Sequence, residues 1–139
     1  MSLVPSPVWP PTDPPADGSL GRAAISPMEP VTAGEFGTWT VTYTVGRFGV
    51  DDGGAVRVAI HQTCDLGAPQ FGDPSQADYC TVRWSTPAPC RLVAHYEGEL
   101  GVRPWKRTIV LRVRDQALRP GDVVTVTLGD RSGGSPGAR

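Results

Sequence analysis

The sequence predicts an all-β fold, an antiparallel β-sandwich of about six to eight strands behind a Pro-rich N-terminal arm. Three observations carry this. Apolar and polar residues alternate with period two in several short segments after Gly37. Glycine and proline clusters separate those segments. No stretch shows the 3.6-residue periodicity of an amphipathic helix.

The arm, residues 1–24, comes first. Eight prolines fall between Met1 and Pro30: Pro5, Pro7, Pro10, Pro11, Pro14, Pro15, Pro27 and Pro30. Proline fixes φ and has no backbone donor, so a helix or a central strand is excluded there and an extended, polyproline-like segment is expected. Trp9 is its one large anchor, either docked on the domain or free.

The sandwich is assigned to residues 25–128. In Gly37–Val45, Trp39, Val41, Tyr43 and Val45 share one face and Thr38, Thr40, Thr42 and Thr44 the other, the pattern of a half-buried strand. Asp51-Asp52-Gly53-Gly54 is a turn. A second strand, Ala55–Gln62, places Val56, Val58 and Ile60 together, with Arg57, Ala59 and His61 opposite. Residues 63–78 form a long irregular loop, a length that often carries function. Further strands follow at Tyr79–Ser85 (Cys80, Val82 and Trp84 inward), Cys90–Glu97 (Leu92, Ala94 and Tyr96 inward) and Lys106–Arg114. The last of these sets Ile109, Leu111 and Val113 against Thr108, Val110, Arg112 and Arg114. After the turn Leu118–Asp122, the final strand Asp122–Leu128 aligns Val124, Val126 and Leu128. That strand is left needing a partner, and residues 129–139 read as a Gly-rich tail leading to a further domain.

Composition narrows the function. The chain has 139 residues, 17 glycines, 15 prolines and a net charge of −1. The charge balance argues against a nucleic-acid partner, which calls for a basic excess. No apolar run approaches the roughly 18 residues of a membrane-spanning helix, so no membrane association is expected. Residues Met1–Pro15 show neither a basic head nor a continuous apolar stretch. No signal peptide is therefore visible, and a cytoplasmic location is favoured.

Three cysteines, Cys64, Cys80 and Cys90, make an odd count. Reduced, partly buried thiols and a single Cys64–Cys80 bridge both fit it. His61 and His95 lie opposite the core faces of their strands, which favours solvent over a metal. No hydrolase, zincin or phosphate-loop motif occurs. Neither a catalytic residue nor a cofactor nor a metal site is assigned.

Two groups remain as binding candidates. The Arg103-Pro104-Trp105-Lys106-Arg107 cluster mixes cations with an indole, so Arg103, Trp105 and Lys106 suit a carbohydrate, an acidic partner or a domain interface. The segment Gly129–Gly134 holds Asp130 and Arg131 and reads as a flexible turn or, less simply, as an anion-binding nest of backbone amides.

Several phrases in order carry a resemblance: Gly37-Thr38-Trp39-Thr40-Val41-Thr42-Tyr43-Thr44-Val45-Gly46, Pro69-Gln70-Phe71 with Asp73-Pro74, Arg103-Pro104-Trp105, Pro120-Gly121-Asp122, and Gly129-Asp130 with Ser132-Gly133-Gly134-Ser135-Pro136-Gly137. Together, over Ile25–Arg139, they resemble the N-terminal region of the bacterial domain-of-unknown-function family 3604. The resemblance implies a multidomain chain whose later portion is similar to a metal-dependent phosphoesterase with His and Asp/Glu ligands. That His-rich pattern does not occur in this sequence, so no catalytic residue is carried over. The expectation is a non-catalytic accessory or binding module whose partner is a downstream domain of the same protein, with its ligand unknown. Two alternatives stand beside it: a share in a composite active site, in which Asp130 or Arg131 would line the cleft, and an independent carbohydrate-binding sandwich with Trp9 or Trp105 as platform.

Overall fold

The computed structural model describes residues 18–139. Trp9 and most of the Pro-rich arm lie outside the described residues. Seven strands and no helix make up the remainder: β1 (Arg22–Ser26), β2 (Trp39–Thr44), β3 (Ala55–Ile60), β4 (Cys80–Trp84), β5 (Arg91–Glu97), β6 (Arg107–Arg114) and β7 (Val123–Leu128). They form two antiparallel sheets, β1-β2-β7-β4 and β3-β6-β5.

The period-two readings position the core. Val124, Val126 and Leu128 of β7 face inward, with Val123, Thr125 and Thr127 between them less buried. Ile109, Leu111 and Val113 of β6 are sealed from solvent, and Leu92, Cys80, Cys90, Val45 and Leu118 complete the cluster. Trp39, Val41, Tyr43, Val82, Trp84, Ala94 and Tyr96 pack around it, partly buried. Val110 departs from its expected place on an open face. It is 1% exposed, on a central strand, with Arg57 and His95 as cross-strand neighbours.

Two expectations are corrected. The first is that Gly37–Val45 is the first strand of the chain. Residues Arg22–Ser26 instead pair with β2. The proline argument holds in its own terms, because β1 is an edge strand and the prolines around it occupy none of its five positions. The second is that the last strand lacks a partner. β7 is central, hydrogen-bonded to β2 on one side and β4 on the other. The tail folds back against the sandwich. Gly37 N–H donates to Ala138 O at 2.8 Å, Ala138 N–H returns the bond at 2.9 Å, and Asp78 N–H donates to Gly137 O at 2.9 Å. Ser135 and Ala138 are buried. Gly129 makes the reversal possible. Its φ is +74°, and a Cβ there would collide with Ala138 N and Gly37 O.

The turns follow their sequences. Gly53 has φ +87°. Its N–H donates to Val113 O at 2.8 Å while Val113 N–H donates to Gly54 O at 2.9 Å. Two residues thus oppose one, a glycine-dependent bulge that sets the register of β3 on β6. Arg119-Pro120-Gly121-Asp122 closes with Asp122 N–H donating to Arg119 O at 3.0 Å, with Gly121 at φ +86°, a type II turn.

Asp122 locks that turn to the opposite loop. Its Oδ2 accepts from Thr86 Oγ1 at 2.6 Å and from Arg119 N–H at 2.9 Å. These bonds, that from Thr86 foremost, hold its carboxyl below the ordinary 3.8. A depressed carboxylate contributes stability that is complete above the unfolded-state value and lost as pH falls through the folded-state value. Urea unfolding at about pH 7 and about pH 3 should therefore show Asp122→Asn losing less stability on acidification than the native chain, by about 1 kcal/mol. Equal losses would remove Asp122 from this role.

Candidate functional site

One end of the sandwich gathers the start of β2, the end of β7, the start of β6 and the loop 63–78. A cleft of about 310 Å³ opens there, walled by Ile25, Val31, Trp39, Leu66 and Leu128, with Glu35, Cys64, Asp65 and Arg139 among its lining residues. Three of its walls come from strand ends, and Val31 and Leu66 come from loops. Ile25 lies near the end of β1, Trp39 opens β2 and Leu128 closes β7.

Arg107 holds the loop that supplies Cys64 and Leu66 to the cleft. Its Nε donates to Tyr96 Oη at 2.9 Å, its Nη1 to Cys64 O at 2.9 Å and its Nη2 to Leu66 O. One rigid guanidinium thus satisfies two loop carbonyls and holds Leu66 at the cleft. Gly67 N–H continues the tie to Arg139 O. Gln70 organises the rest of the loop. Its Oε1 accepts from Gly72 and Asp73 N–H at 3.0 and 2.8 Å, and its Nε2 donates to Asp73 O at 2.8 Å. The long loop is therefore internally bonded, as its Asp-Pro turn and Gln70 together allow.

The residues singled out in the sequence separate into two groups. Trp105 is 53% exposed, its indole edge-to-face with His61 at a centroid distance of 5.1 Å. Lys106 is paired with Glu99 at 2.7 Å, and Arg103 is exposed. On the other side, Arg131 Nη2 donates to Phe36 O at 2.9 Å, and the Arg139 guanidinium lies 4.5 Å from the Phe36 ring centroid. The groups are linked through Arg107, residues 64–67 and Arg139, and no hydrogen bond or ion pair joins them directly among the described residues.

Asp130 belongs to the turn. Its Oδ1 accepts from Ser132 N–H at 2.9 Å and its Oδ2 from Thr81 Oγ1 at 2.7 Å. These bonds, Ser132 first, hold its carboxyl below its ordinary value. The amide of Ser132 is spent on Asp130 and that of Gly134 on Arg131 O. The turn thus spends the amides of Ser132 and Gly134 on its own closure.

Sequence reasoning passed over the cleft itself. Trp39 and Leu128 read as core, Leu66 as loop, and nothing local joins them. The single available signal was the position of Arg107 within the cationic cluster. The three thiols are free, Cys64 exposed and Cys80 and Cys90 buried. Among the described residues no group of three or more His, Cys, Asp or Glu could hold a metal ion, and no helix is long and apolar enough to cross a membrane. No protein-family model, no curated protein and no solved structure matches this chain.

Two outcomes follow. Burial pushes the Cys80 thiol up to about 11, which removes the reactive thiolate at neutral pH. Iodoacetamide should therefore alkylate Cys64 alone in the folded chain, and Cys80 and Cys90 only after denaturation; mass spectrometry of the labelled peptides decides this. Arg107→Ala should lower stability by about 2 kcal/mol, by leaving the Cys64 and Leu66 carbonyls without their donor. It should also raise amide exchange at Gly67, and unchanged exchange there would show that the loop is held by other means.

Proposed function

We propose that this chain is a non-catalytic β-sandwich module that docks a neighbouring domain of a larger bacterial protein, through the apolar cleft at the end of the sandwich. The observation that carries the reading is the cleft: apolar walls from Ile25, Val31, Trp39, Leu66 and Leu128 left open beside a well-packed core. Apolar surface of this kind is stabilised by a partner that covers it. Arg139 lies on its rim, so whatever follows Arg139 in a longer chain begins at the cleft. The ordered phrases that resemble the domain-of-unknown-function family 3604 support a multidomain, hydrolase-like parent.

A role in a composite active site has less behind it. The carboxylate of Asp130 and the guanidinium of Arg131 are both engaged within the fold. The carbohydrate reading keeps one specific support, the exposed indole of Trp105. A glycan screen whose signal disappears in Trp105→Ala would replace docking with that function.

The docking test uses Cys64, which lines the cleft. Its alkylation rate is compared in the isolated chain and in the same chain continued by its downstream coding region. Docking predicts at least about tenfold slower labelling in the longer protein, since the partner must exclude reagent from a desolvated interface. Equal rates would overturn it. The isolated chain is expected to leave p-nitrophenyl phosphate unhydrolysed, and turnover that survives repurification would overturn the non-catalytic part of the reading.

A further inference from the structure

The two sheets are unequal. β1 extends the four-stranded sheet beyond β2, and the three-stranded sheet stops at β3. The inward residues of β1 and β2 on this side, Ala23, Val41 and Tyr43, face Val56 and Val58 of β3 across a groove of about 460 Å³. A sandwich with matched layers would carry one more strand beside β3.

The backbone of β3 is set up for it. The bulge at Gly53 pairs Gly54 with Val113, and the antiparallel register then directs the N–H and C=O groups of Val56, Val58 and Ile60 toward β6. Those of Ala55, Arg57 and Ala59 point away from β6, toward the open side. Such groups, alternating along an extended edge, are complementary to another extended backbone. The strand Ala-Val-Arg-Val-Ala-Ile has no proline and no inward charge, the devices that usually block edge pairing. The opposite edge of the same sheet is different: β5 carries Arg91, His95 and Glu97, each in an ion-pair contact. Arg57 is exposed and makes no ion pair among the described residues.

We propose that β3 is a strand-addition site, which binds an extended segment of a partner protein as a fourth strand of the β3-β6-β5 sheet. The segment's alternating apolar side chains lie over Ala23, Val41 and Tyr43, and an acidic side chain on its outer face pairs with Arg57. This site is separate from the end cleft, and its test does not depend on docking there.

The test is fluorescence anisotropy of the full chain with a labelled peptide that alternates valine with threonine and carries one central glutamate. Saturable binding is expected. Ala59→Pro removes an edge donor while sparing the bonds to β6, and should weaken binding about fivefold. Thermal melting checks that this variant folds. Arg57→Glu, a surface change that keeps the fold, should weaken the glutamate peptide about threefold and strengthen a lysine counterpart by a similar factor. Cys64 alkylation should be unaffected by the peptide. Absence of binding by both peptides, or affinities unchanged in both variants, would overturn the proposal. So would sedimentation showing a dimer that Ala59→Pro converts to monomer, because the edge would then serve a second copy of the chain.

Discussion

The ladder on both sides of β7 is the constraint on which the rest of the molecule depends. β7 joins β2 to β4, segments whose first residues are separated by some forty positions in the chain. Its inward residues Val124, Val126 and Leu128 meet Ile109, Leu111 and Val113 of the other sheet in one apolar cluster. A slip of one residue in this register would turn those valines outward and the threonines in. Because the period is strict, the slip is costly, and the position of β7 is held. Everything at the functional end follows: Leu128 reaches the cleft, Gly129 reverses the chain, and Ala138 comes back to Gly37.

The strands β2 to β7 were legible because period two runs through their residues, most plainly where one face is buried and the other open, as in β5 and β7. β1 was not. Its five residues are all exposed, so no alternation marks it, and the prolines nearby argue correctly against a central strand while leaving an edge strand open. The tail escaped for a related reason. Its return is fixed in large part by backbone groups of Gly37, Gly67 and Asp78, and main-chain hydrogen bonds leave no trace in side-chain identity beyond the glycines that permit them. The Gly-rich composition signalled a sharp reversal as strongly as a loose end.

The candidate site shows the same division. Trp105, Lys106, Asp130 and Arg131 were visible as chemistry, but the structure engages three of them in pairs or turns and leaves the Trp105 indole half open. The cleft that anchors the functional reading joins core and near-core residues, Leu128, Trp39 and Leu66, to the exposed Ile25 and Val31. Where a layer ends is a property of topology, and neither hydropathy nor motif spacing encodes it locally. Arg107 is the exception, since one buried-side guanidinium in a cationic run is what pulls the 64–66 backbone into place.

The exposure of β1 along its whole length lets it detach while the core stays packed. Removing β1 breaks its ladder to β2 and the bond from Tyr43 Oη to Leu20 O, yet none of the core cluster belongs to it. Its release is therefore a sub-global opening, far cheaper than melting the sandwich. In that opened state β2 becomes an edge, and the walls at Val41 and Tyr43 lose their rim. A guest bound along this side would favour the closed state, so its binding and the docking of β1 would reinforce each other.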